Sequence, residues 1–316
     1  MPGNLLLLGE YAVLEPGGLG LALAVERRIK IKVYGSSQLR IKGKMGNESI
    51  VWNPGRSQNL LFDCIWMVCE KYCSLKKSRF RPTGHILIDS SDFFNKGGRK
   101  LGLGSSAAVT VGLVFYFLWP FLRRIKNSLP IIQNIALQAH RIFQGGVGSG
   151  YDICASLYGR MGIFRGGVNP DWNFITERLF FNYYILTGKR SVKTPDAITR
   201  YLYWKSKNRR LAKKFLTCSN KLVKFFISST DFLKQTAYFH EYRKLGLWLG
   251  KKIGVETSSV FFKRKIADLQ KKQFLMKPIG AGGEIAIVMK KKSKDEIKDQ
   301  DLIPFTIARK GLLWKY

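Results

Sequence analysis

The chain has 316 residues, 46% of them hydrophobic, which is enough to bury a sizeable core in one large or two medium domains and excludes a disordered or low-complexity protein. Lys and Arg number 54 against 21 Asp and Glu, a formal net charge of +33, so an anionic partner is expected. The basic residues are spread along the chain without zinc-finger spacing, an RNA-binding aromatic signature or a basic zipper, so the charge supports only non-specific affinity for nucleic acid and suits nucleotides equally well.

Leu5 to Leu8 reads as a short buried strand ending at Gly9, and Leu19 to Val33 as further strand, alternating in "RIKIKVYG". In "NLLFDCIWMVCEKYC", residues 59–73, the apolar residues Leu60, Leu61, Ile65, Val68 and Cys69 share one face, which predicts an amphipathic helix with Asn59 as its N-cap. "GHILIDSS", residues 84–91, predicts a strand, and the loop "NKGGRK" leads from it into "KLGLGSSAAVT", residues 100–110. The apolar run that follows, Ala107 to Trp119, is expected to stop at Pro120 and is too short to cross a bilayer, which takes about 20 residues. No basic n-region or cleavage site opens the chain, and a soluble cytoplasmic protein is expected.

From Pro130 a helical pattern carries Ile131, Ile135, Leu137, Ala139 and Ile142 to a second glycine cluster, "GGVGSGYDICASLYG", residues 145–159. Gly, Asn and Pro in "RGGVNPDW" mark a boundary between an N-terminal domain, 1–168, and a C-terminal domain, 169–316. The second domain opens on the strand "FFNYYILTG". Basic amphipathic helices are predicted over 195–226 and 231–253, a shorter one over 256–272, and a glycine turn, "GAGGEIAIVMK", leads into a β-rich tail. Lys290 to Lys294 reads as a solvated turn. The cysteines Cys64, Cys69, Cys73, Cys154 and Cys218 are odd in number and contain no CxxC pair, which suits free thiols; Cys69 and Cys73, one turn apart in an apolar helix, read as buried and inert. Strands interleaved with helices in both halves predict an α+β protein.

In "GLGSSAA" the glycines let backbone N–H groups approach an anion, and the start of the following helix favours phosphate. Ser105 and Ser106 add hydroxyls at the first turn, where a serine can ligate Mg²⁺. Taken alone, the same residues are equally a glycine turn with Ser105 capping a buried helix. Neither a Walker loop nor a GxGxxG fingerprint is present.

Three stretches in order, "PGNLLLLGEYAVLEPGGLGLALAV", "GLGSSAAVT" and "GAGGEIAIV", resemble the motifs of the GHMP kinases, which include galactokinase and the homoserine, mevalonate and phosphomevalonate kinases. "GEY" at residues 9–11, "RKLGLGSSAAVT", "QGGVGSGYDICASLYG" and "LTGKRSVKTP" are most similar to the phosphomevalonate kinase branch. The resemblance implies a two-lobed α+β fold, with an N-terminal mixed α/β domain and a C-terminal ferredoxin-like α+β domain. It implies ATP and Mg²⁺ as cofactors and 5-phosphomevalonate as the small-molecule partner, in a monomer or weak dimer that binds neither membrane nor specific nucleic acid.

By the same resemblance, Lys100, Leu101, Gly102, Leu103, Gly104, Ser105, Ser106 and Ala107 hold ATP, with Ser106 the Mg²⁺ contact. Asp152 and Lys100 are catalytic, and Glu10, Tyr11, Ser149, Gly150, Lys189 and Ser191 bind the acceptor, with Arg99 a further cation beside the motif. A phosphomonoester is already mostly a dianion at pH 7, so positioning and charge neutralisation are expected to matter more than proton removal. Without the resemblance, Asp152 is also a plain helix N-cap.

The chain departs from the family pattern in four places. Asn4 stands where the first motif carries lysine, so either another cation substitutes or activity is impaired. Met1 directly precedes Pro2, where the family has a leading strand, so an internal start or a shortened first strand is expected. In the third motif Glu284 and Ile285 follow Gly283 where an acidic residue is usual one place later. Arg141 occupies the position of the Mg²⁺-ligating glutamate of mevalonate kinases.

Overall fold

The computed structural model describes the chain except residues 46–47, 57–58, 96, 177–179, 189–193, 257, 280–283, 294–298, 300 and 316. It divides into two compact units: Met1–Asn4, Ala24–Arg160 and Ile307–Tyr316 form the first, Leu5–Leu23 and Met161–Thr306 the second. The main changeover comes at Arg160, a few residues before the boundary expected near 168, and both ends of the chain, Met1–Asn4 and Ile307–Tyr316, belong to the first unit.

The first unit holds the start of β1 (Pro2–Leu8), the end of β2 (Leu19–Arg28), then β3 (Lys30–Tyr34), β4 (Leu39–Met45), β5 (Glu48–Trp52), α1 (Leu60–Leu75), β6 (Gly84–Asp89), α2 (Ser105–Leu122), α3 (Leu129–Phe143) and α4 (Tyr151–Tyr158). A sheet of order β3-β6-β4-β5 pairs β4 with β6 in parallel and its other neighbours antiparallel. Asn59 caps α1 as expected, its side chain accepting from Phe62 N–H at 3.2 Å. The strands β4 and β5 were not anticipated; β4 alternates, with Leu39, Ile41 and Gly43 buried and Arg40, Lys42 and Lys44 exposed, but glycine leaves few large apolar side chains on its inner face.

Helix α2 is apolar on every side and correspondingly buried along most of its length. It starts at Ser105 and runs through Pro120 to Leu122, so the expected stop at Pro120 does not occur. Proline in the last turn removes one N–H bond to Tyr116 O without breaking the turns before it. The eighteen-residue helix is long and apolar enough to cross a membrane by composition, and 72% of it is buried inside the protein.

The first unit is closed by its last segment. Ala308 donates to Ala24 O at 2.8 Å and Arg160 N–H to Ala308 O at 2.7 Å, while Leu312 N–H donates to Leu157 O at 3.0 Å. Arg28 adds bonds to the carbonyls of Lys310 and Gly311.

The second unit carries Leu5–Leu8 of β1, Leu19–Leu23 of β2, β7 (Met161–Arg165), β8 (Asp171–Phe174), β9 (Phe181–Thr187), α5 (Thr194–Lys207), α6 (Arg209–Ser228), α7 (Phe232–Ile253), α8 (Val260–Lys271), β10 (Leu275–Ile279), β11 (Ile285–Lys291) and β12 (Leu302–Phe305). Here β2 pairs antiparallel with β7 and β7 with β8, and a separate antiparallel sheet has the order β10-β11-β9-β12. Tyr184, Leu186, Ala286 and Val288, spaced by two along their strands, join Phe262 and Leu269 of α8 in one core. The helix expected over 195–226 is two helices broken at Asn208, whose side-chain amide donates to Trp204 O at 3.0 Å. Lys290 and Lys291 belong to β11 rather than to a turn, and lie over the rings of Phe274 and Phe232. Mixed helices and sheets bear out the α+β expectation. Cys64, Cys69, Cys73 and Cys154 are buried free thiols and Cys218 is half-buried; burial pushes the Cys69 and Cys73 thiols up, as inert residues require.

Candidate functional site

In the first unit the entrance to α2 is a glycine-shaped loop. Gly102 and Gly104 have φ of 64° and 68°, and Gly104 is the N-cap of α2 in left-handed conformation. A Cβ on Gly104 would lie 2.3 Å from the Nδ2 and Oδ1 of Asn4. Leu101, Leu103 and Ala107 are buried in the core, so within this loop their backbone alone is left to meet a ligand. Ala108 N–H closes the first helical bond, to Gly104 O at 3.2 Å, and by helix geometry the N–H groups ahead of it have no intrahelical acceptor. The sequence thus builds the concave, N–H-lined helix start that favours an anion. Lys100 forms a bridge with Phe94 just before this loop and is exposed, as is Arg99.

Asn4 explains part of that geometry. It is 2% exposed; its N–H donates to Leu103 O at 2.9 Å, and its amide nitrogen donates to Gly104 O at 3.3 Å and to Ser156 Oγ on α4 at 3.0 Å. The residue that replaces the family lysine is therefore a neutral bolt between the glycine-led start of α2 and the last turn of α4. A lysine here would lose these bonds and bury an ammonium beside donors and backbone, so Asn4→Lys is expected to cost about 2 kcal/mol or more of stability. Thermal unfolding of the variant checks this, and increased turnover with unchanged melting would refute it.

The second helix start belongs to α4. Its N-cap is Gly150, at φ 97°, where a Cβ would meet Leu137 Cδ2 at 2.0 Å. The N-cap is thus not Asp152, which sits in the first turn with Oδ1 accepting from Ile153 N–H at 2.9 Å. Arg141, standing in place of the family glutamate, donates from Nε to Gly148 O at 3.1 Å and from Nη2 to Ser149 O at 3.2 Å. It braces the glycine loop, and burial lowers its pKa, partly offset by Cys154 and Asp152.

One residue joins the two helix starts and was absent from the sequence reading. His140, on α3 and 2% exposed, places Nε2 3.0 Å from Ser106 Oγ and Nδ1 3.4 Å from Asp152 Oδ2. The imidazole thereby spaces the serine hydroxyl from the carboxylate. Its signal was available: His140 lies four residues after Ala136 and five after Ile135, on the buried face that Ile132, Ile135, Ala136 and Ala139 share. Ile142, read as part of that face, is instead exposed.

No group of three or more His, Cys, Asp or Glu with metal-site geometry occurs among the described residues. Magnesium is commonly held by one or two protein oxygens together with substrate phosphates and water, so Ser106 Oγ fits its preferences without a protein cage.

In the second unit Glu10 and Tyr11 follow Gly9, whose φ of 111° and close approach to Gly20 allow the sharp exit from β1. Glu10 forms an ion pair with Lys277 of β10, and Lys277 Nζ lies 5.7 Å from the centre of the Tyr242 ring. Tyr242 Oη accepts from Gly9 N–H at 2.8 Å and bonds Ser219 Oγ at 3.1 Å. Tyr11 has a positive φ of 62°, unusual for a non-glycine, and burial together with Glu10 pushes its hydroxyl up to about 12. A cavity of about 250 Å³ opens beside this cluster, lined from Glu10 and Tyr11 to α7, α8 and Lys277. Lys277 was also missed: a lysine in a strand next to a glycine turn carries no mark of an ion pair in sequence. Lys189, Ser191 and the glycines of the third motif, 280–283, lie outside the described residues.

Comparison with known proteins bears out the family resemblance. Residues 59–160 match the GHMP kinases N terminal domain. A phosphomevalonate kinase of Streptomyces sp. (strain CL190) is 28% identical over 131 residues, 36% of this chain and 35% of that protein. The corresponding enzyme of Saccharolobus solfataricus is 30% identical over 198 residues, 60% of this chain and 57% of its own. These matches span about a third and just over half of the curated relatives. A crystal structure of the Streptococcus pneumoniae phosphomevalonate kinase in complex with phosphomevalonate and AMPPNP has a TM-score of 0.73 at 17% identity, covering 93% of this chain and 92% of that one. The fold is that of the GHMP kinases.

Proposed function

Because this chain carries a GHMP kinase N-terminal domain within the GHMP kinase fold, we propose that it is an ATP-dependent phosphotransferase that passes the γ-phosphoryl group of ATP to 5-phosphomevalonate, giving 5-diphosphomevalonate and ADP. The observation that carries the reading is the pairing of two glycine-capped helix starts through His140, which holds Ser106 and Asp152 apart on one buried ring. The named relatives support the choice of acceptor.

In this reading the N–H groups at the start of α2 bind the ATP phosphates, and Gly102 and Gly104 let the phosphates approach the backbone. Magnesium would be held through Ser106 Oγ together with the phosphates, and would supply charge neutralisation there. Asp152 orients the acceptor phosphate, which is already deprotonated enough to attack, so its work is placement rather than proton removal. Ser149 and Gly150 present the loop that Arg141 braces, and Lys100, exposed before the α2 loop, supplies positive charge to the phosphates. Lys189 and Ser191 keep the acceptor roles implied by the family resemblance. The reading also keeps a cytoplasmic protein acting as a monomer or weak dimer.

A coupled ADP-release assay with 5-phosphomevalonate, mevalonate and homoserine tests the proposal. Preferred turnover of 5-phosphomevalonate is expected. Preference for mevalonate would move the acceptor within the family, and nucleotide binding with no turnover of any of them would leave a nucleotide-binding paralogue.

A further inference from the structure

Helix α6 of the second unit buries one side and charges the other. Ala212, Phe215, Ser219, Val223 and Phe226 are buried. At about 100° per residue, Arg209, Arg210, Lys213, Lys214, Lys221 and Lys224 fall within an arc of about 140° on the opposite side, and all six are exposed. The stripe they form runs about 22 Å along the axis. The helix has no acidic residue, and Asp231 is the single carboxylate between 209 and 240. None of the six cations is in an ion pair among the described residues, whereas Lys205 of α5 pairs with Glu15 and Lys244 of α7 with Glu241. Arg209 and Lys213, Arg210 and Lys214, and Lys221 and Lys224 are neighbours one turn apart, so the helix carries like-charge repulsion that an anionic partner would relieve.

The C-terminal end of the stripe adds apolar side chains that point outward. Phe225 is 40% exposed, and Leu233, in the first turn of α7, is 72% exposed. Lys221 Nζ lies 5.4 Å from the centre of the Phe225 ring, and that ring meets Tyr238 of α7 at 5.4 Å between centres. Lys234 follows Leu233 and is exposed, and Lys291 Nζ lies 5.2 Å from the ring of its neighbour Phe232. Lysines thus stand around two protruding apolar residues at the corner between α6 and α7.

The residue types narrow the partner. Single-stranded nucleic acid is gripped by open aromatic faces on which bases stack, and phosphate recognition favours arginine forks. The stripe has four lysines to two arginines, and the exposed aromatic ring of α6 is already covered by Lys221 and packed on Tyr238. Diffuse lysine charge beside protruding leucine and phenylalanine suits an anionic bilayer, where each cation adds attraction and the apolar side chains enter the headgroup boundary.

We propose that the outer face of α6, with Phe225 and Leu233 at its end, docks the protein peripherally on membranes rich in anionic lipid. The family resemblance implied no membrane contact, and this surface goes beyond it. The assignment does not depend on the phosphotransfer reading, in which none of these residues has a role.

The experiment sediments the full chain with vesicles of phosphatidylcholine alone and of phosphatidylcholine with about 30% phosphatidylglycerol, at about 0.1 M salt. Binding to the anionic vesicles is expected to exceed binding to the neutral ones by about 100-fold, and to fall about tenfold or more at about 0.5 M salt. Because a protein of net charge +33 attracts any anionic surface, two triple variants of equal charge locate the contact. Replacing Arg210, Lys214 and Lys221 with Gln is expected to weaken binding about 100-fold, while replacing Lys32, Lys42 and Lys71 of the first unit, all exposed, changes it less than about threefold. Leu233→Ser should weaken binding about fivefold without altering its salt dependence. Circular dichroism checks that each variant is folded, and the comparison of vesicles needs no variant at all. Equal binding to neutral and anionic vesicles, equal losses in the two triple variants, or no binding at about 0.1 M salt would each overturn the proposal. Transfer RNA held more tightly than the vesicles, and released by the α6 substitutions, would assign the stripe to nucleic acid and overturn it as well.

Discussion

Replacing Gly104 with alanine is expected to destabilise the first unit by about 2–5 kcal/mol and to abolish nucleotide binding. Two costs combine. A residue with a Cβ held at φ 68° loses roughly 1–2 kcal/mol, and the new methyl would lie 2.3 Å from both polar atoms of the Asn4 amide, an overlap worth about 1–3 kcal/mol. The overlap cannot be relieved by turning Asn4, because that side chain is 2% exposed and bonded to Ser156 in the last turn of α4. The loop must shift instead, and with it the N–H groups that the anion needs. Calorimetric melting and titration with a non-hydrolysable nucleotide measure the two effects separately. Unchanged nucleotide affinity in a destabilised variant would mean that the α2 start is structural and that phosphate binds elsewhere.

The second large effect is on turnover. Asp152→Asn keeps the size of the side chain and an oxygen for Ile153 N–H, but removes the charge that faces His140 and that the reading gives to acceptor placement. A fall in kcat of about 100-fold or more is expected, with nucleotide affinity changed less than about threefold, since misplacing a reacting group by an ångström is enough for such a loss. His140→Gln should give a smaller fall, because an amide can still meet Ser106 while the spacing to Asp152 is lost. A variant Asp152→Asn that keeps more than a tenth of wild-type kcat would remove Asp152 from the reaction.

Much of the first helix entrance was legible because its cues are local: two glycines, two serines and an apolar run fall within ten residues, and helix geometry does the rest. What connects it was not local. Asn4 reaches Gly104 and Ser156 across separations of 100 and 152 residues, and His140 meets Ser106 from 34 residues away. Local pattern does not reveal such partners, so Asn4 read as a missing cation, and the place of His140 on the buried face of α3 gave no sign of what it meets. Arg141 shows the opposite case: the sequence identified the substitution of a metal ligand, but only the structure gives the residue a task, holding the carbonyls of Gly148 and Ser149. Among the elements, the helix over 195–226 was over-extended because Asn208 is a weaker punctuation mark than glycine or proline, and β4 was missed because Gly43 leaves its alternation with only Leu39 and Ile41 as large buried side chains before it.

The segment that begins at Ile307 bears on how the protein is made. Ala308 and Leu312 pair with Ala24 and Leu157, so the first unit includes contacts between residues nearly three hundred positions apart. During synthesis this unit must wait, incomplete, while the whole of the second is translated, and its closure is a late, high-contact-order step. A nascent chain stalled before Ile307 should therefore expose the strand β2 from Ala24 onward and depend on chaperones until release, whereas the sheet of β9 to β12 can form as soon as Phe305 has emerged.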